Sequence, residues 1–371
     1  MKEVIIIGSG PASINCARSF RRVNRESCVR IITRDNFLYS KMVLPSVFRY
    51  SLRDSDINIK LPDDGIILEF GHEIRHIDPE KRKIFSKSRE WEYDVLFIGI
   101  GSVPRKIPFS GSKIFYASSP DEMRRLRMLV EYGAKNLVIY GFGFATLEFL
   151  DIFLSLNLRP VIIASSQYPL SQILSKDLAC MLFEYIKDFG VFYFGREISF
   201  VDNSRILLSS GEVLSYDVLL VLKGTEPSNI SGLDLNVDSF FRTSFPDIFA
   251  GGDAVKVRDI VRGEKRYIHL NTVAWEMGFT AGLNMAGVNI EYKGSYFRTV
   301  SKGKRIRLQM AGDLSVYDDV ILKKSKDGFI AVTLKNNKIS GFLTYNFDAD
   351  FKKLCSFVED GKNINKLETL I

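Results

Sequence analysis

The hydrophobic residues of this chain fall into two patterns. Short, uninterrupted apolar runs recur before residue 290, and residues 4–7 form the first of them. Such runs are typical of strands that are buried on both faces of a parallel sheet. From about Tyr292 onward apolar and polar residues alternate, and Asn336-Asn337 supplies a hairpin turn between two such segments. The pattern predicts an α/β architecture followed by a smaller α+β region.

The first apolar run leads directly into a glycine-containing turn. Gly8 permits a tight turn, and Gly10 lets the backbone approach a pyrophosphate closely. The free N–H groups and the positive dipole end of the helix that follows would face that anion. The third position of the pattern is Ser13 rather than glycine or alanine. We therefore predict a dinucleotide site whose contacts include Gly8, Gly10, Pro11, Ala12 and Ser13.

The residue expected to bind the adenosine ribose is displaced in this first unit. An acid is usual near the end of the second strand, about 20 residues after the glycines. Thr33 stands at that position, and Asp35 is the nearest acid. This weakens a simple NAD interpretation of the first unit and leaves room for FAD.

A second copy of the pattern begins 141 − 8 = 133 residues after the first. The apolar run at residues 137–140 leads into Gly141 and Gly143, but Thr146 replaces the usual third glycine. The next strand ends in Ser165-Ser166, with neither a ribose-binding acid nor a basic clamp for a 2′-phosphate. The sequence predicts a second dinucleotide-binding domain and leaves NADH and NADPH unresolved.

Composition narrows the class of protein. The chain is 46% hydrophobic and 26% charged, which is ordinary for a globular protein. No apolar run approaches the ~20 residues that a membrane span needs, so we expect a cytoplasmic protein. The cysteines are isolated from one another and from the histidines, which predicts reduced thiols and no metal site. They are Cys16, Cys28, Cys180 and Cys355.

Positive charge is concentrated near the C-terminus. The formal net charge is +7, and residues 291–371 hold 15 Lys and Arg against 10 Asp and Glu. A solvated strand face and a docking patch for an acidic partner both fit this cluster. Nucleic acid fits less well, because no aromatic stacking platform accompanies the charges. The cluster comprises Arg298, Lys302, Lys304, Arg305 and Arg307.

Four segments carry a resemblance to a known family. They are residues 39–45, 93–105, 241–254 and 269–278. Together with the two glycine turns they resemble FAD-dependent enzymes of the pyridine nucleotide-disulfide oxidoreductase superfamily. The resemblance is to its rubredoxin reductases, NADH oxidases and nitrite-reductase flavin domains. Met42 and Val43 stand where the disulfide reductases carry a redox cysteine, so we expect no dithiol chemistry there.

The resemblance implies roles for individual residues. Lys41 and Glu148 would lie beside the flavin and the nicotinamide as the catalytic pair, and Asp253 would accept a hydrogen bond from the ribityl chain. Asn271 would cap the helix that points at the flavin ring. Besides the first glycine turn, the predicted cofactor-binding residues are Asp35, Lys41, Gly99, Gly101, Arg105, Gly141, Gly143, Gly252, Asp253, Asn271 and Thr272.

The fold class implied is α/β, with two Rossmann-like nucleotide-binding domains and a small α+β C-terminal domain. The FAD domain is expected at residues 1–110 and 230–290, the NAD(P)H domain at 111–229, and the C-terminal domain at 291–371.

The function implied is hydride transfer from NAD(P)H to FAD, with electrons passed to a small acceptor such as rubredoxin or another acidic electron carrier. A homodimer is also compatible with the family. Two alternatives stay open: an NADH oxidase that reduces dioxygen, and an FAD-binding subunit of a larger complex that no longer uses NAD(P)H.

Overall fold

The computed structural model describes residues 2–61 and 65–361, except for the side chain of Lys302. Its α-helices are α1 (Pro11–Val23), α2 (Leu44–Tyr50), α3 (Asp54–Ile57), α4 (Pro120–Glu131), α5 (Phe144–Ser155), α6 (Lys176–Ile186), α7 (Asn271–Met285) and α8 (Phe351–Asp360). The strands before residue 200 are β1 (Glu3–Ile7), β2 (Cys28–Ile32), β3 (Ile66–Glu69), β4 (His76–Asp78), β5 (Lys83–Phe85), β6 (Glu90–Glu92), β7 (Val95–Ile98), β8 (Ser102–Pro104), β9 (Ile114–Phe115), β10 (Leu137–Tyr140), β11 (Val161–Ala164), β12 (Val191–Phe194) and β13 (Ile198–Val201). The later strands are β14 (Arg205–Leu208), β15 (Val213–Ser215), β16 (Val218–Val221), β17 (Thr225–Pro227), β18 (Ile248–Ala250), β19 (Val257–Arg258), β20 (Lys265–Arg266), β21 (Arg298–Lys302), β22 (Arg307–Gly312), β23 (Asp319–Lys324), β24 (Phe329–Lys335) and β25 (Lys338–Tyr345).

The chain divides into two compact units. The first unit comprises Met1–Val43, Leu52–Val103 and Glu226–Ser295, and the second comprises Leu44–Ser51, Pro104–Thr225 and Tyr296–Ile371. The changes of unit lie close to the boundaries predicted near residues 110, 230 and 290. The second unit contains both the segment predicted as the NAD(P)H domain and the segment predicted as the C-terminal domain. It also contains α2. The division into three domains stays a prediction.

The first unit is built on a parallel sheet of order β18-β7-β1-β2-β3. Strand β1 is central and pairs in register with β2 and β7, so Ile5 and Ile6 are fully buried. This confirms the parallel arrangement predicted from the apolar run. Helix α1 packs against α7 at very short range, because a Cβ on Gly278 would lie 2.0 Å from the carbonyl oxygen of Ala12. Only glycine allows the two helices to cross this closely.

The second unit repeats the parallel arrangement in the order β12-β11-β10-β16-β9. Strand β10 lies between β11 and β16, as β1 lies between β2 and β7. A three-stranded antiparallel meander, β13-β14-β15, covers the side of the sheet from which Tyr140 projects. Both copies of the glycine turn therefore follow the central strand of a parallel sheet, as the sequence predicted for Rossmann-like units.

Residues 298–360 form an antiparallel sheet of order β21-β22-β25-β24-β23 together with α8. The hairpin turn predicted at Asn336-Asn337 is confirmed, because both residues have positive φ, of 51° and 62°. The sequence of residues 171–189 has the amphipathic pattern of a helix, but α6 begins only at Lys176. The hydroxyl of Ser175 accepts the N–H of Leu178 and caps it there, while the preceding residues form turns.

Candidate functional site

The first glycine turn has the geometry that a bound pyrophosphate requires. Gly8 has a φ of +111°, and a Cβ there would lie 2.3 Å from the carbonyl oxygen of Gly99. Helix α1 begins immediately after Gly10, which caps it without a side-chain hydrogen bond. Among the residues that the structure describes, and apart from those adjoining Gly10 in the chain, none has an atom within 4 Å of a Cβ placed on Gly10. The first amides of α1 can therefore be reached by an anion, and the turn fits the phosphates of FAD.

The hydroxyl of Ser13 is used within the protein. It donates a 3.0 Å hydrogen bond to the carbonyl oxygen of Ile7, and the side chain is fully buried. A Cβ on Gly99 would lie only 2.1 Å from Ser13 Oγ. The serine at the third position of the turn therefore depends on a glycine at residue 99.

Asp35 is held at the same turn. Its carboxylate accepts a hydrogen bond from the hydroxyl of Ser9, the middle residue between the two glycines. Its backbone N–H also donates to Thr33 Oγ1 at 3.2 Å. The structure thus brings the displaced acid beside the glycine turn, where it can accept hydrogen bonds from an adenosine ribose. Sequence reasoning missed Ser9, whose role is apparent only once the strands are paired.

Lys41, Ser102 and Asp253 meet in one hydrogen-bonded group. The amine of Lys41 donates to the carbonyl oxygen of Ser102 at 2.6 Å, although much of its side chain is exposed. The hydroxyl of Ser102 donates to Asp253 Oδ2 at 2.8 Å. Burial of the amine lowers the pKa of Lys41, and the negative charge of Asp253 opposes that shift. Asp253 is half-buried, and its second oxygen remains able to accept a hydrogen bond from a ribityl hydroxyl.

The start of α7 differs from the prediction. Asn271 was expected to cap this helix, but Leu270 is the cap residue and Asn271 is the first helical residue. The prediction of the cap was wrong because the Asn271 side chain faces another segment. Its Oδ1 accepts a 2.6 Å hydrogen bond from the hydroxyl of Ser40. Thr272, next in the helix, is exposed.

Met277, in α7, contacts the backbone that precedes Asp253. Its sulfur accepts the N–H of Gly252 at 3.0 Å, so a weak polar contact to that backbone is kept. Gly252 has a φ of +79° in the turn before Asp253.

The remaining predicted contacts lie near the points where the chain changes unit. The carbonyl oxygen of Gly101 accepts the N–H of Ser228 at 3.0 Å in the first unit. Arg105 is exposed and belongs to the second unit, where its N–H donates to the carbonyl oxygen of Gly224. Its assignment to the flavin stays a prediction.

The second glycine turn repeats the geometry of the first. Gly141 has a φ of +121°, and Gly143 caps α5. Within the described ranges, only residues adjoining Gly143 in the chain can have atoms within 4 Å of a Cβ placed on it. The buried hydroxyl of Thr146 donates to the carbonyl oxygen of Gly141 at 2.9 Å. Thr146 is therefore accommodated in the same way as Ser13, and it leaves the turn open. This turn fits the phosphates of a second dinucleotide.

Glu148 lies one turn into α5 and is mostly buried. Burial raises its pKa to about 7, and the positive charge of Arg49 opposes the shift only in part. Arg49, in α2, forms an ion pair with Asp151, which is fully buried one turn further along α5. With this pKa, the carboxyl group of Glu148 can take up and release a proton near neutral pH. Glu148 and Lys41 belong to different units, so their pairing stays a prediction.

Asp151 also hydrogen-bonds the backbone of a segment that belongs to the predicted basic cluster. Its oxygens accept backbone N–H groups of Lys304 at 3.2 Å, Arg305 at 2.7 Å and Ile306 at 3.0 Å. We call residues 304–307 the basic segment. Its cationic side chains are all exposed. Of the other predicted members of the cluster, Arg298 lies over the ring of Tyr296, and the side chain of Lys302 lies outside the described residues.

Other kinds of site receive no support in the part of the chain that the structure describes. The cysteines are all unpaired, and Cys16 and Cys355 are buried. Within residues 2–61 and 65–361, no three residues of His, Cys, Asp or Glu are grouped as a metal site would require. No helix in the same ranges has the length and apolar character to cross a membrane.

Comparisons with known proteins agree with this geometry. The family model described as "Pyridine nucleotide-disulphide oxidoreductase" matches residues 2–278. The chain is 24% identical to an NADH oxidase of Methanocaldococcus jannaschii over 81% of this chain and 73% of that protein. It is 25% identical to a rubredoxin-NAD(+) reductase of Alcanivorax borkumensis over 70% of this chain and 73% of that protein.

A solved structure extends the likeness in fold to the whole chain. An NAD-dependent persulfide reductase from A. fulgidus superposes with a TM-score of 0.90 at 19% identity, covering 100% of this chain and 79% of that one. This confirms the predicted α/β fold class. The two glycine turns, the fold and the family match together confirm the predicted superfamily and its cofactors, FAD and NAD(P)H. The chain belongs to the pyridine nucleotide-disulphide oxidoreductase family and is an FAD-dependent NAD(P)H oxidoreductase.

Proposed function

We propose that this enzyme takes hydride from a nicotinamide dinucleotide and passes the electrons to a small acidic carrier protein of the rubredoxin or ferredoxin kind. The observation that carries the proposal is the group formed by Lys41, Ser102 and Asp253, which contains no thiol. Met42 and Val43 follow Lys41. Electrons therefore have no dithiol to enter beside Lys41, which supports their direct transfer from the flavin to the acceptor.

The chain's own residues bind and orient the cofactor. FAD, when bound, supplies the group that accepts a hydride and releases electrons. The amides after Gly10 would hold its phosphates, and the carboxylate of Asp253 would accept a hydrogen bond from its ribityl chain. In its charged form, the amine of Lys41 would favour negative charge on a bound flavin ring. None of these residues has to act as a nucleophile.

We also propose that Glu148 faces the nicotinamide, with Lys41 as its counterpart at the flavin. A carboxyl group with a pKa of about 7 exists in both protonation states at neutral pH. It can therefore hold a proton beside the ring or release it as the charge of the site changes. The proposal implies that changes at Lys41 and Glu148 have non-additive effects on the rate of flavin reduction.

The basic segment is proposed as the docking surface for the carrier. Lys304, Arg305 and Arg307 are exposed, while Asp151 fixes the backbone that bears them. A fixed cluster of one sign of charge raises the association rate of an oppositely charged partner. The name of the rubredoxin-NAD(+) reductase relative supports a carrier of this class.

Stopped-flow measurements of the two half-reactions test this proposal. Carrier reduction should slow steeply as salt increases, because exposed charges are screened beyond about 10 Å at about 0.1 M ionic strength. Flavin reduction by NADH should depend on salt much less. Lys304→Glu with Arg305→Glu should slow carrier reduction and leave flavin content unchanged. The matched control reverses two exposed lysines elsewhere in the second unit, Lys176→Glu with Lys187→Glu. Equal effects of both pairs would contradict the docking role.

The NADH oxidase relative supports a second candidate function, direct reduction of dioxygen. Oxygen consumption with NADH at a rate above carrier reduction would favour that activity. We further propose a cytoplasmic location, since all four cysteines are unpaired, and a homodimer, which sedimentation can test.

A further inference from the structure

The second dinucleotide site lacks an acid at the end of β11. The segment that follows β12, however, lies directly beside the end of β11. Backbone hydrogen bonds continue the pairing of β11 and β12 beyond both strands. The N–H of Arg196 donates to the carbonyl oxygen of Ala164 at 3.0 Å, and that of Gly195 donates to Ser166 at 2.9 Å. The next residue, Glu197, is thereby fixed next to Ser165.

The carboxylate of Glu197 is held by Tyr140 and Lys223. The hydroxyl of Tyr140 donates to Oε2, and the amine of Lys223 lies 3.1 Å from the same oxygen. Partial burial would raise the pKa of Glu197, but hydrogen bonds, with those from Tyr140 and Lys223 the largest, outweigh it and lower the pKa. Glu197 is therefore a fixed anion at neutral pH.

All of these groups converge at the carboxyl edge of one sheet. Tyr140 ends β10 immediately before the turn at Gly141, and Ser165 follows β11. Lys223 follows β16, and a Cβ on Gly141 would lie 2.2 Å from the carbonyl oxygen of Leu222. Dinucleotides bind at this edge of open parallel sheets, with the phosphates at the helix that follows the glycine turn. The carboxylate thus contacts Tyr140, which directly precedes the glycine turn, while its backbone lies beside the end of β11, the strand that usually carries the ribose-binding acid.

We propose that Glu197 binds the adenosine ribose of the nicotinamide dinucleotide and makes this site select NADH over NADPH. A carboxylate accepts hydrogen bonds from ribose hydroxyls and repels a 2′-phosphate. The charge of Lys223 is already matched, because its amine is bonded to Glu197 and to Tyr140. The inference rests on the proposed use of a nicotinamide dinucleotide. It argues against the alternative in which the chain is an FAD-binding subunit that no longer uses NAD(P)H.

The test measures binding and does not depend on flavin reduction. The FAD-loaded enzyme is titrated calorimetrically with ADP-ribose and with its 2′-phosphorylated form. The wild-type enzyme should bind ADP-ribose more tightly than the 2′-phosphorylated form. Glu197→Gln should reduce this ratio of affinities about tenfold, because it removes one charged hydrogen-bonding group. The control Glu184→Gln removes a carboxylate from the exposed side of α6 and should change nothing. Thermal unfolding of each variant verifies that it is folded.

A second variant keeps the inference falsifiable if Glu197→Gln weakens the fold. Adding Ser165→Asp to Glu197→Gln places an acid at the end of β11 and should restore the preference for ADP-ribose. Three results would overturn the inference. The folded Glu197→Gln variant could keep the full preference for ADP-ribose, the wild-type enzyme could prefer the 2′-phosphorylated form, or the wild-type enzyme could bind neither compound. Selective ADP-ribose binding without flavin reduction by NADH would support Glu197 as the ribose-binding residue and contradict the proposed function.

Discussion

Ser13 Oγ occupies the space that a side chain at residue 99 would need. The hydroxyl is fixed by its bond to the carbonyl oxygen of Ile7, and a Cβ on Gly99 would lie 2.1 Å away. The serine in the glycine turn and the glycine that follows β7 are therefore one structural adjustment. Together they keep the turn at Gly8 close to the neighbouring strand.

This relationship predicts a compensating pair of substitutions. Gly99→Ala should destabilise the protein by about 1–3 kcal/mol, because the added methyl group overpacks a closed site. Ser13→Gly in the same chain should restore much of that loss, since it removes Oγ. Urea unfolding of the two single variants and the double variant measures the coupling. Additive losses would show that Ser13 is not the obstacle.

Asp253 should be needed for retention of FAD. Asp253→Ala removes the carboxylate offered to the ribityl chain and leaves the hydroxyl of Ser102 without its acceptor. FAD affinity should fall by about 1–3 kcal/mol, the cost of a lost charged hydrogen bond to a ligand. Ser102→Ala should cost less, since the carboxylate remains. Flavin release during dialysis measures both, and full flavin retention by Asp253→Ala would refute the assignment.

The carboxyl group of Glu148 should make stability depend on pH. Its pKa is raised from 4.5 to about 7, so the folded protein retains a proton that the unfolded chain releases. The stabilisation is complete below the unfolded pKa and is lost as pH rises through about 7. Glu148→Gln should therefore flatten the decline in unfolding free energy between about pH 5 and about pH 8. The same decline should persist in the control Glu131→Gln, an exposed carboxylate of α4.

Asp151 should be the most sensitive position of the second unit. Asp151→Ala would strand the partly buried guanidinium of Arg49 and remove the acceptor of three backbone N–H groups of the basic segment. Removal of one partner of a buried ion pair costs about 3–5 kcal/mol. The control Asp177→Ala, at the exposed start of α6, should cost less than about 1 kcal/mol, the size of a helix-dipole effect. Chemical unfolding compares the two, and equal losses would contradict the role of Asp151.

The sequence predicted those features that depend on neighbouring residues. The strand before Gly8, the glycine turn and the following helix form one continuous segment, and the same is true at Gly141. Contacts between distant segments could not be predicted. Ser9 meets Asp35 only after β1 and β2 pair, and Arg49 meets Asp151 across 102 residues of sequence.

The cap of α7 shows the limit of local rules. Asparagine is a favoured cap residue. The side chain of Asn271, however, accepts a hydrogen bond from Ser40, which is 231 residues away in the sequence. Glu197 was overlooked for a related reason. The rule for ribose binding looks at the end of β11, whereas this acid is brought there by the pairing of β12.

Anaerobic titration of the purified FAD-loaded protein with NADH, followed by an acidic rubredoxin, tests the central claim most directly. The account predicts that NADH bleaches the flavin absorbance stoichiometrically and that added oxidised rubredoxin restores it while becoming reduced. A flavin spectrum that NADH and NADPH both leave unchanged would contradict the account. So would a flavin that NADH reduces but that only dioxygen can reoxidise.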